Sequence, residues 1–320
     1  MIARQDHVMV RGWLALALAV ALSAAAAPAV AAGLVASPQD LEPAARAALA
    51  SSIQAERAAH PEAFSTLGRV DGHLPSGYGK LRNPSPKLVG LELRRLGWPA
   101  LLPMLDALAF QAPARRGATD AEQRALAVGM LDAVGRLRDA RSRPVLESAL
   151  RQRDDEVVRA AALALGRLCD TGSFELLRSA ARGSDLARDP RRLAAVAGLG
   201  ECRRLGSARV LGAMMGATRD PVAAQALAEA LGSVGSSWAW RAKGPKAEAE
   251  SLAVRRLAAE ALVRAFIGQD GGARQALGRA LVLVEHPATP DLLREARARA
   301  DAQTGREIDR LLGRLEGKRR

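Results

Sequence analysis

The chain has 320 residues, 49% of them apolar but only 3% aromatic, and carries a formal net charge of +13. Ala, Leu and Arg dominate and β-branched runs are scarce, which favours helix over sheet at nearly every position. All but five of the 47 basic residues are Arg, an Ala- and Arg-rich bias that GC-rich coding also writes. The charge is therefore a weak argument for nucleic acid or anionic lipid as partner.

The first segment reads as an export signal. Arg4 and Arg11 precede the apolar run Gly12–Leu22, and "APAVAAG" (Ala27–Gly33) supplies small residues for cleavage after Ala31. No Cys follows the run and no Arg pair precedes it, so general secretion of a protein without a lipid anchor is expected. The alternative is an uncleaved anchor at residues 1–31, because no charge appears from Gly12 to Gln39. Beyond residue 31 nothing is apolar for long enough to span a bilayer, so the mature protein is expected in the periplasm or secreted.

Residues 32–87 form an N-terminal extension. "SPQDLEPAARAALASSIQAERAA" (Ser37–Ala59) has a capped start and a helical period, whereas Arg69–Lys87 is rich in Gly and Pro and reads as loop.

Residues 88–301 are repetitive. Leu131–Leu150, Leu163–Ala181 and Ala197–Met215 align, with Gly135, Gly166 and Gly200 in register and Gly232 continuing the series at spacings of 31, 34 and 32 residues. Each unit reads as two helices. The second opens on an apolar pair: Val145-Leu146, Leu176-Leu177 and Val210-Leu211. The aligned Gly are expected to stop the first helices, and Ser142, Ser173 and Ser207 to cap the second ones. Asp154-Asp155, Asp189-Pro190 and Asp220-Pro221 mark the next first helices. Leu88–Phe110 reads as an opening unit and Ala273–Ala300 as a late one. Glu248–Phe266 reads as the second helix of the fifth unit, and residues 302–320 as a capping helix with a basic tail.

These units, best seen in "DDEVVRAAALALGRL" (Asp154–Leu168), resemble HEAT-like repeats in the short bacterial form also found in bilin lyases. The Val-Arg pair of that motif is missing around Gly135, Gly200 and Gly232. The resemblance implies a right-handed α-α superhelix of about five to six helix pairs that binds other proteins, and it carries no catalytic residues to transfer.

No zinc spacing, nucleophile elbow, phosphate loop or dinucleotide fingerprint occurs, so no catalytic, cofactor or metal residues are assigned. His60, His73 and Tyr78 share the extension without a carboxylate cluster, which suits a surface role. Cys169 and Cys202 fall at nearly equivalent places in adjacent units. They are either one disulfide of an exported protein or two buried small side chains, and the usual helix spacing of about 8–10 Å favours the second.

Two surfaces are candidates for a partner. Arg143, Arg178, Arg182 and Arg209 on the second helices form a cationic ridge toward an acidic protein, or else a solvated face with pairs such as Glu175–Arg178 and Glu147–Arg151. The second candidate is "SWAWRAKGPK" (Ser237–Lys246), within an insertion spanning residues 236–247. If extended, it points Trp238 and Trp240 to one side, either packed down or presented together with a basic rim of Arg241, Lys243 and Lys246. The expected function is an exported, non-enzymatic scaffold for an unknown protein partner in the cell envelope. A HEAT-like lyase or DNA glycosylase, or an electrostatic binder of anionic envelope polymer or lipid, is the alternative. Export argues against nucleic acid.

Overall fold

The computed structural model describes residues 32–73, 90, 93–112, 119–183 and 185–317. The leader, Tyr78, most of the Gly/Pro-rich segment and the tail residues 318–320 lie outside them. Every regular element among the described residues is helical.

The extension comprises a 3-10 turn Pro38–Asp40, helix α1 (Pro43–Ala59) and helix α2 (Pro61–His73). Ser37 and Asp40 close the turn as a capping box, and Glu42 accepts the amide of Ala45 at the start of α1. Arg69–His73, expected as loop, continue α2, because nothing before the Pro-rich stretch interrupts its helical hydrogen bonding. Both helices pack on α3 (Leu101–Ala109), where Arg57 ion-pairs with Asp106. Ahead of them, the amides of Leu34 and Val35 donate to the carbonyls of Ala107 and Leu108, each at 3.0 Å. They satisfy acceptors that the end of α3 otherwise leaves orphaned. Gly33 is required there, since a Cβ would overlap the backbone at Leu108 and Ala109.

The repeats follow as pairs: α4 (Asp120–Leu137) with α5 (Arg143–Leu150), α6 (Asp155–Leu168) with α7 (Thr171–Ala180), and α8 (Pro190–Glu201) with α9 (Leu205–Ala217). Helix α10 (Pro221–Val234) is separated from its partner α12 (Glu248–Gly268) by the short helix α11 (Ser237–Arg241). Helices α13 (Gly271–Val284) and α14 (Thr289–Arg297) make the last pair, and α15 (Ala302–Gly317) packs on α14. The first helices α4, α6, α8, α10 and α13 lie side by side in that order. Asp154, Asp189 and Asp220 each accept two backbone amides at the N-termini of α6, α8 and α10, worth about 1 kcal/mol apiece.

The core is a ladder of Leu. Leu146, Leu177 and Leu211, the second members of the apolar pairs, and Leu293 of α14 are fully buried, as are Leu131, Leu165, Leu199, Leu231 and Leu281 of the first helices. Each contributes about 2 kcal/mol through its removal from water.

Two expectations are corrected. The aligned glycines do not stop helices: all four lie inside α4, α6, α8 and α10, where adjacent first helices approach too closely for a side chain. A Cβ on Gly135 would stand 2.6 Å from the Cα of Ala164, one on Gly200 2.9 Å from the Cα of Ala230, and one on Gly232 3.1 Å from the Cβ of Ala280. Helices α4 and α6 instead end on left-handed Arg138 and Cys169. Nor do the aligned Ser cap by side chain. Ser142 is buried and donates back to the Asp139 carbonyl at 2.6 Å. Ser173 and Ser207 are buried one turn inside α7 and α9 with hydroxyls unpartnered among the described residues. The cap of α7 is Asp170, which accepts the amide of Ser173.

Candidate functional site

The insertion after α10 is helical, not extended. Ser236 caps α11 by accepting the amide of Ala239, and Gly244, at φ 80°, turns the chain into the 3-10 turn that precedes α12. Helical geometry sets residues two apart on nearly opposite sides, about 200° around the axis. Trp240 is accordingly 2% exposed and Trp238 75% exposed, so the two rings are divided between the core and the surface. The Trp240 indole donates to the carbonyl of Val234 at 2.7 Å. Lys243 covers that ring at 4.1 Å from its centroid and donates to the carbonyl of Arg203 at 3.0 Å. On the far flank, the Ser237 hydroxyl donates to Glu285 at 2.6 Å, and Arg241 pairs with the same carboxylate at 3.4 Å. Trp238 thus projects from a helix pinned on both sides, while Lys246 is exposed in the following turn.

Cys169 and Cys202 form a disulfide with their Cα atoms 5.0 Å apart. The spacing between helix axes does not apply, because neither residue lies on a helix flank. Both occupy C-caps, Cys169 in the left-handed conformation, where the chain has left the helix and the turns of adjacent units converge.

The arginine ridge is largely neutralised within the protein. Arg143 reaches Glu147 at 3.5 Å and Asp170 at 3.2 Å, and Arg178 donates to Glu175 at 2.7 Å. Glu147 pairs with Arg143, not with Arg151, whose guanidinium donates instead to the carbonyl of Asp40 at 2.9 Å. Arg182 and Arg209 are exposed and carry unshared charge among the described residues.

A polar ladder crosses the first-helix row. Arg94 pairs with Asp132, Asp132 with Arg167 at 2.7 Å, Arg167 with Glu201 at 3.5 Å, and Ser233 donates to Glu201 at 3.3 Å. Burial pushes the Asp132 carboxyl up. The Arg94 hydrogen bond, with the charges of Arg167 and Arg136, outweighs this and holds it below its ordinary value. Alongside the ladder a groove of about 330 Å³ runs over α6, α8 and α10, floored by Leu163, Leu193, Ala197 and Val222. Sequence reasoning looked for surfaces on the second helices and missed both. The signal for the ladder was faint: Arg167 and Glu201 each follow an aligned Gly, but Asp132 sits one turn earlier.

His60 and His286, the histidines whose side chains are described, do not converge on a site. His60 lies 3.4 Å from Glu62. His286 is buried and accepts the amide of Ala288 at 3.2 Å, capping a turn. Burial, reinforced by Arg255 and Arg256, holds its pKa below the ordinary imidazole value. No cluster of metal-ligating side chains occurs among the described residues, and no helix among them is long and apolar enough to cross a membrane.

A family model described as HEAT repeats matches residues 112–200, which hold α4 to α8 and three of the aligned glycines. These residues carry HEAT-like repeats. No curated protein matches the chain. In this HEAT-like protein the paired helices continue beyond the matched residues to α14, in the same two-row arrangement.

Proposed function

We propose that this HEAT-like protein is an exported scaffold that holds a protein partner in the cell envelope, with α11 as part of the docking surface. The observation that carries the reading is Trp238. A large aromatic ring stays 75% exposed while the helix that bears it is anchored by buried Trp240 and by Glu285. A rigidly mounted Trp with basic neighbours has the character of a binding hot spot, because little conformational entropy is lost when it is covered. One observation supports export: the Cys169–Cys202 bridge suits an oxidising compartment.

Photo-crosslinking from Ala242 in intact cells tests the reading. One stoichiometric protein adduct that disappears with Trp238→Ala is the expected result, and sequencing of the mature chain is expected to start at Ala32. Adducts to nucleic acid, or a protein adduct indifferent to Trp238→Ala, would overturn it.

A further inference from the structure

We infer that Arg138, Arg203 and Lys243 form a carboxylate-binding site for an acidic segment of a protein partner. The three cations come from three different units, on the turns that follow α4, α8 and α11. Arg138 is the left-handed C-cap of α4, Arg203 follows the bridged Cys202, and Lys243 lies just after α11.

Lys243 is held in place, Arg203 is largely enclosed and Arg138 is exposed, and their charge is under-compensated. Lys243 is held by the Arg203 carbonyl and by the Trp240 ring. The nearest acid to Arg203 is Glu201 at 3.8 Å, and Glu201 already serves Arg167 and Ser233. The Arg203 Nε is enclosed with no acceptor among the described residues. Arg138 has neither an ion pair nor a side-chain hydrogen bond among them. Burial is the main cause lowering the pKa of Arg203 and of Lys243. Glu201 and Glu250 respectively oppose it, while Arg138 adds to it in both and Arg203 adds to it in Lys243.

Like charges near one another, with Arg203 largely removed from water, repel unless an anion joins them. A carboxylate suits the available donors: guanidinium edges offer forked hydrogen bonds, and the Lys ammonium adds a point charge. A peptide source is favoured over a membrane or a polyphosphate. Three cations are too few for the long basic stripe that a membrane or a polyphosphate would use, and exposed Trp238, on the same insertion as Lys243, offers a contact for an apolar side chain of the same partner. The peptide source rests on the scaffold reading; the anion site itself does not.

The test uses the full mature protein and calorimetric titration with a hexaglutamate peptide, inorganic phosphate, and phosphatidylglycerol vesicles at matched ionic strength. The peptide is expected to bind, with affinity falling about tenfold in Arg138→Glu and less in Arg138→Gln. The control Arg188→Glu, at another exposed turn, keeps wild-type affinity. Both Arg138 variants are expected to melt no lower than wild type, since removing a repelling charge relieves the cluster. Equal peptide affinity in wild type and Arg138→Glu, or binding to vesicles or phosphate alone, would overturn the site. That outcome leaves the scaffold reading standing if the Trp238-dependent adduct persists in cells. Loss of the adduct with peptide binding intact would do the reverse.

Discussion

Gly166 of α6 lies directly against the backbone of Gly198 in α8, so that a Cβ at position 166 would overlap the Gly198 carbonyl oxygen. Backbone cannot step aside as a flexible side chain can. Gly166→Ala is therefore expected to destabilise by about 1–3 kcal/mol through overpacking, despite the better helix propensity of Ala. Gly313 in α15 meets nothing within 4 Å, and Gly313→Ala is expected to stabilise by about 0.5–1 kcal/mol. Urea unfolding of the two variants checks both signs, and equal effects would mean that the close approach does not set the residue.

The Cys169–Cys202 bridge closes a loop with a sequence separation of 33 residues. On the chain-entropy account, removing it costs about 3–4 kcal/mol. Cys169→Ser, Cys202→Ser and reduced wild type are expected to show similar losses in thermal melts, and reduction should do nothing further to either variant. Thiol labelling of protein isolated without reductant is expected to find no free cysteine. A fully labelled protein would remove the main structural support for export.

The two tryptophans are expected to separate cleanly. Trp240→Ala removes a buried ring and its hydrogen bond to Val234, with a cost of about 3–5 kcal/mol. Trp238→Ala removes an exposed ring and is expected to change stability by less than about 0.5 kcal/mol while abolishing the crosslinked adduct. Denaturant midpoints measured beside the crosslinking yield decide whether one residue is a plug and the other a contact.

Much of the architecture could be read from the chain. Asp154, Asp189 and Asp220 announced the first helices, and the Leu of each apolar pair announced the core, because capping and helical periodicity are local. What escaped depended on neighbours. The glycine series was visible, but its reason lies in the adjacent helix: Ala164 beside Gly135, Ala230 beside Gly200. The bridge was underrated because left-handed Cys169 takes the chain off the helix flank, which no spacing rule reveals. Segment Ser237–Arg241 is too short to display a helical period, so its two Trp were assigned to one side. The Asp132–Arg167–Glu201 ladder joins residues some 35 positions apart that are out of register by a turn, and only packing brings them together.

That ladder also sets an acid limit to stability. Asp132 has a folded pKa held below its ordinary value, chiefly by the Arg94 hydrogen bond working against burial, with Arg167 and Arg136 assisting. The unfolded chain takes up its proton first, near the ordinary carboxylate value of about 3.9. Its stabilising contribution is thus full above that pH and declines below it, vanishing as pH falls through the lower folded pKa. Asp132→Asn is expected to be less stable than wild type at pH 7, with the difference narrowing as pH drops from 5 to 3. Melting temperatures across that range, measured at constant ionic strength, give the comparison. A difference that stays constant with pH would mean that Asp132 acts through packing and not through its charge.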